Sequence, residues 1–197
     1  MLAPAQITSA VMPSPAVGAA WQDGRMEWIV AGLLIATAIV GGALAIWARE
    51  SNAVGWAIVQ VVLVAAAGAL VLLGPAPTAG WTIPLAICAV LAATFGGGIV
   101  VMVVLRLAGH PMTAEDDLPA SAWIGMAERL AMTFALAIGQ GAIAAVVIAV
   151  KALGSYRGDD RGTNRVASIR VLGTLTSVIW ALLCFGVLVG VQTRAVP

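Results

Sequence analysis

Few side chains in this sequence could do chemistry, and those that could stand inside apolar runs. Glu128 and Arg129 are adjacent charges in the run that opens at Trp123. Gln140 interrupts the same run between Gly139 and Gly141, and Lys151 lies near its end. Thr174, Thr176 and Ser177 belong to the next apolar run, and Gln60 to an earlier one. A bare amide is costly in hydrocarbon, so Gln140 is expected near mid-segment facing protein or water. Its flanking glycines would let another helix approach. The hydroxyls of Thr174, Thr176 and Ser177 are candidate partners, through an interhelical hydrogen bond or a ligand or ion contact at mid-depth; Gln60 is the weaker, off-centre candidate. Successive residues on a helix point about 100° apart, so Glu128 and Arg129 each need a separate partner or must reach an interface. Gly125, Arg129 and Thr133 follow at intervals of four and would form one polar stripe. Arg129 could snorkel to the interface, or be an intramembrane charge kept for function. Lys151 reads as an anchor at the opposite interface.

The remaining candidates carry less. His110, before Pro111, is a lone imidazole without the neighbours that acid–base or nucleophilic catalysis uses. Asp159 and Asp160 sit in a mixed-charge loop, which reads as solvated, with arginines that could touch anionic headgroups. Cys88 and Cys184 lie in apolar runs and read as small buried hydrophobes. With one His and no Cys-x-x-Cys, a haem, zinc or iron–sulfur site built by this chain alone is not expected, and no catalytic, metal or cofactor-binding residue is assigned.

The elements that must position these groups follow from composition. Hydrophobic residues make up 61% of the 197 and charged ones 10%, with mean hydropathy +1.03. A soluble domain could not cover its surface with so few charges; lipid contact removes the difficulty. A net charge of +1 gives no sign of a nucleic-acid partner. The expected fold class is all-α, a polytopic membrane bundle of about five spans, at residues 27–48, 53–73, 81–107, 123–153 and 169–191. Residues 1–25 read as a mobile tail without a cleavable signal pattern, and residues 26–197 as one membrane domain. Trp28 and Trp47 mark the ends of the first segment, and the Pro- and Gly-rich stretch 74–80 ends the second.

Five spans put the termini on opposite faces. The N-terminal face would then hold Arg25, Lys151, Arg157, Arg161, Arg165 and Arg170, against Arg49, Arg106 and Arg194 on the other. The positive-inside rule makes the N-terminus cytoplasmic and the C-terminus external. Small residues should mediate helix packing: Gly96, Gly97 and Gly98 in the third segment, Gly41 and Gly42 in the first, and Gly173, Gly186 and Gly190 in the last. The Gly186–Gly190 spacing suits packing within the chain or a dimer face.

Ile124-Gly125 with Glu128-Arg129-Leu130, then Lys151-Ala152, then Gly173-Thr174-Leu175 with Ser177, Trp180 and Ala181 resemble a widespread group of uncharacterised bacterial multi-pass membrane proteins. The likeness covers about residues 124–190. The group tends to have an Arg-Phe pair soon after the Lys, where this chain reads Gly154-Ser155-Tyr156-Arg157. It also tends to have an aromatic pair before the Gly-Thr, where this chain has Ile169-Arg170. The resemblance implies a bacterial inner membrane and no activity. It directs attention to Glu128, Arg129, Lys151 and the Gly173–Ser177 face. The expected partners are the lipid bilayer and another membrane protein or a second copy. The leading functional expectation is a non-enzymatic accessory or self-associating bundle. The alternatives are a small transport or channel component with a polar path near Gln140, and an intramembrane enzyme using Glu128.

Overall fold

The computed structural model describes residues 25–47, 52–74, 76–109, 118–157 and 164–195. The expected N-terminal tail, His110 and the Asp159–Asp160 loop lie outside these residues. Six helices make up the described chain: α1 (Arg25–Trp47), α2 (Ala53–Leu73), α3 (Thr82–Leu107), α4 (Leu118–Ala137), α5 (Gly141–Arg157) and α6 (Asn164–Arg194). Among the described residues there is no strand, and a short 3-10 turn, Ala79–Trp81, leads into α3. Four stretches are long and apolar enough to cross a membrane: Arg25–Leu44, Ala53–Leu73, Ala79–Leu107 and Val171–Arg194. Gly141–Lys151 is a shorter apolar helix. The chain is thus an all-α membrane bundle of about five spans.

Helix α3 is the hub, packed against α1, α2, α4 and α6. Lipid offers helices no hydrophobic reason to associate, so close backbone approach must supply it. At Gly41 in α1 an added Cβ would fall on the Phe95 carbonyl and the Gly96 Cα. At Gly96 and Gly97 it would meet the Trp180 ring at 2.7 Å, and at Gly190 it would meet Val71 at 3.0 Å. These glycines bring neighbouring helices close, and Gly173 rests loosely on Val101 and Leu105. A Cβ at Gly98 or Gly186 would meet nothing within 4 Å. The core they enclose holds Leu34, Val71, Leu85, Trp180 and Leu188, and it extends between α1, α2, α3 and α6.

The fourth apolar run differs from the expectation. Residues 123–153 are not one rod but two helices, α4 and α5, turned back on each other at Ile138-Gly139-Gln140. The turn is a helix stop of the Schellman type. The Gln140 N–H donates to the Ala135 carbonyl at 2.8 Å and the Gly139 N–H to that of Leu136 at 3.0 Å. Gly139 takes φ +75°, the left-handed conformation that favours glycine. Ala135 and Ala144 then pack together across the hairpin with Met132, against Ala181 of α6.

That turn also corrects the placement of the termini. Trp28, near the start of α1, meets Trp81, at the start of α3, edge to face with ring centroids 4.6 Å apart. Arg194, ending α6, donates to the Val71 carbonyl at 2.6 Å and to that of Leu72, at the end of α2. The first and last described helices therefore begin and end at the same end of the bundle. The expected opposite faces assumed that 123–153 crossed once.

Candidate functional site

Midway along the helices the bundle has a polar layer. Thr94 lies near the centre of α3, Ser177 near the centre of α6, and Arg129 reaches between them from α4. Only 4% of Arg129 is exposed. Its Nε and Nη2 both donate to the Thr94 carbonyl at 3.1 Å, and Nη1 donates to Ser177 Oγ at 3.2 Å. The side chain lies over Gly97, where a Cβ would stand 3.0 Å from its Cδ and Nε; glycine there makes room for the guanidinium. Arg129 does not snorkel. Its charge is met by a carbonyl and a hydroxyl, and no carboxylate of the described residues forms an ion pair with it.

Glu128 points elsewhere, as adjacent helix positions require. Its carboxylate pairs with the Lys151 ammonium across the α4–α5 hairpin. Both are about a quarter exposed, Lys151 26% and Glu128 23%. Lys151 is therefore tied into the hairpin, and the expected role as an interfacial anchor is corrected. The expected stripe is real: Thr133, one turn after Arg129 and wholly buried, donates to the Arg129 carbonyl at 2.6 Å. Gly125 lies one turn before it, with open space up to Arg129 Nη1 at 3.5 Å.

Three helices line a small, partly open cavity of about 20 Å³. Its walls include Glu128 and Arg129 of α4, Lys151 of α5, and Thr174 and Ser177 of α6. Five of the residues singled out from the sequence thus come together. Thr176 does not join them, since its hydroxyl bonds back to the Leu172 carbonyl in its own helix. Gln140 is also excluded. It is exposed in the turn at the far tip of the hairpin, because the helix that would have buried it ends at Ala137. Gln60 is fully buried in another part of the polar layer, where its Nε2 donates to the Thr37 carbonyl at 3.1 Å and its Oε1 has no partner.

Sequence reasoning missed Thr94 as the main acceptor for Arg129, since a backbone carbonyl carries no residue-type signal. The hydroxyl beside the Gly96–Gly98 run was the available hint. It also missed the positioning part of Trp180, which is 1% exposed, packs on Gly96 and Gly97, and donates to the Ala92 carbonyl at 3.3 Å. A tryptophan at mid-segment, away from the interfaces that aromatics prefer, was the signal there.

A cavity of this size holds one water or one small ion. Lys151 and Glu128 on its wall are paired with each other, Arg129 is the further charge there, and most of the surface it exposes is apolar. Among the described residues no cluster of three or more His, Cys, Asp or Glu could hold a metal. No known protein family, curated protein or solved structure matches the chain.

Proposed function

We propose that this chain is a non-enzymatic membrane component whose Arg129 centre binds a small monovalent anion, as the recognition element of a small transport unit. The single observation behind this reading is a nearly buried arginine, midway along a membrane bundle, with no ion-pairing carboxylate among the described residues. A buried charge met only by a carbonyl and a hydroxyl is costly, and charged groups placed so in membrane segments mark substrate or ion paths. An anion in the adjoining cavity would offset that cost. The polar path is thereby moved from Gln140 to Arg129, Lys151, Thr174 and Ser177. An acid–base role for Glu128 fits less well, because its carboxylate is engaged by Lys151.

The test is halide flux into proteoliposomes holding the purified chain, comparing wild type with Arg129→Gln, which keeps donors and removes the charge. Chloride or bromide flux in wild type and its loss in the variant is the expected outcome. Equal flux in both removes the reading.

A second reading, an accessory or self-associating subunit, draws on α5. That helix packs chiefly on α4, and its Ile143, Val146, Val150 and Leu153 are exposed, a surface suited to a partner membrane helix. We assign the chain to a bacterial inner membrane on the resemblance of residues 124–190. For orientation, among the described residues the helix ends opposite Arg25 and Arg194 carry Arg106, Arg157, Arg165 and Arg170. The positive-inside rule makes that four-arginine end cytoplasmic and the end with Arg25 and Arg194 external.

A further inference from the structure

Helices α2 and α6 meet at Val71 and Gly190, and beside that contact, toward Trp180, they leave a groove of about 600 Å³. Its walls include Ala65, Gly68 and Leu72 of α2 and Leu183 and Gly186 of α6, with Trp180 at its inner end. The groove exists because small residues face it. A Cβ at Gly186 would meet nothing within 4 Å, and one at Gly68 only Val187 at 3.5 Å. Its volume lies within the roughly 300–1,000 Å³ of ordinary ligand sites, and its lining is almost wholly apolar.

One charged group stands at its mouth. Arg194 lies seven residues beyond Val187, about 10 Å farther along α6. Its Nη1 is fixed by the Val71 and Leu72 carbonyls, which belong to the groove wall. Its Nε and Nη2 donate to no described group. A fixed guanidinium edge at the membrane boundary, above an open apolar slot, complements a molecule with an anionic head and a hydrocarbon tail. We propose that this groove binds an acyl chain of an anionic phospholipid, with its phosphate received by Arg194. The site is separate from the Arg129 centre and does not depend on its function.

The test uses the full chain in nanodiscs of equal phosphatidylglycerol and phosphatidylcholine, released into mild detergent and weighed by native mass spectrometry. Wild type should retain lipid with phosphatidylglycerol favoured about fivefold, the worth of one basic residue near a headgroup. Arg194→Gln should bring the ratio to unity, and Arg194→Lys should keep the preference. Gly186→Leu and Ala65→Leu, which fill the slot from opposite walls without meeting packed atoms at Gly186, should each lower the lipid retained. Undiminished retention in both filled variants, or an unchanged ratio in Arg194→Gln, overturns the proposal. So does a disulfide-linked dimer of Gly186→Cys in the bilayer, which would place a second copy in the groove.

Discussion

The core of α1, α2, α3 and α6 and the α4–α5 hairpin solve the same problem by different means. In the core, backbones approach through glycine: Gly41 lies on the Phe95–Gly96 backbone, Gly96 and Gly97 lie under Trp180, and Gly190 lies on Val71. The hairpin is attached by polar contacts, with Arg129 to Thr94 and Ser177 on one face of α4 and Glu128 to Lys151 on the other. Close packing fixes the core in one arrangement. Polar contacts hold the hairpin and at the same time create a charged cavity. The difference teaches that the charged residues of this bundle gather where polar contacts supplement the alanine packing of Ala135, Ala144 and Ala181.

The sharpest way to break that contrast is at Gly41. An added Cβ must displace α3 backbone, not a flexible side chain, so Gly41→Ala should cost about 3 kcal/mol or prevent assembly. Monodisperse yield and thermal midpoint in detergent would read it. Gly186→Ala, on open space, is the matched control and should change neither.

The hairpin should respond differently. Lys151→Met strands Glu128, and Glu128→Gln strands Lys151; each should destabilise, while the double variant recovers part of the loss. A coupling of about 1–3 kcal/mol is expected from a double-mutant cycle, at the lower end because both side chains are partly exposed. A coupling near zero would mean that the pair does not hold α5 to α4. Arg129→Met removes three hydrogen bonds from α4 to α3 and α6, at about 1 kcal/mol each, offset by relief of the cost of burying its charge, so the net change in stability should be below that of Gly41→Ala. Its main effect should appear in anion flux. Gly139→Ala should cost about 1 kcal/mol through the left-handed turn.

Much of the core was legible in the sequence. The segments expected at 53–73 and 81–107 appear as Ala53–Leu73 and Thr82–Leu107, and 27–48 as Arg25–Trp47. Hydropathy and helix-stopping residues define such rods directly. The hairpin was not legible because hydropathy does not fall at its turn: Ile138 and Ile143 flank it, and the run stays apolar on both sides. Gly139-Gln140-Gly141 was read as a thin spot with a buried amide, although a glycine closing a helix was an equally available reading. That one choice misplaced Gln140, put the two ends of the chain on opposite faces, and hid that Glu128 and Lys151, 23 residues apart, are neighbours. Charges and hydroxyls inside apolar runs are expensive enough to stand out individually, so Glu128, Arg129, Lys151, Thr174 and Ser177 could be singled out from the sequence, but not that they line one cavity.

The return of α5 along α4 makes the charged centre possible, and it fixes how many times the chain changes direction. The most direct test is therefore the sidedness of three engineered cysteines in a Cys88→Ala, Cys184→Ala background: Arg25→Cys, Ala108→Cys and Gln192→Cys, all at exposed positions. With a membrane-impermeant maleimide on right-side-out and inverted vesicles, positions 25 and 192 should label from one side and position 108 from the other. Labelling of 25 and 192 from opposite sides would contradict the hairpin, and with it the pairing of Glu128 and Lys151 beside Arg129.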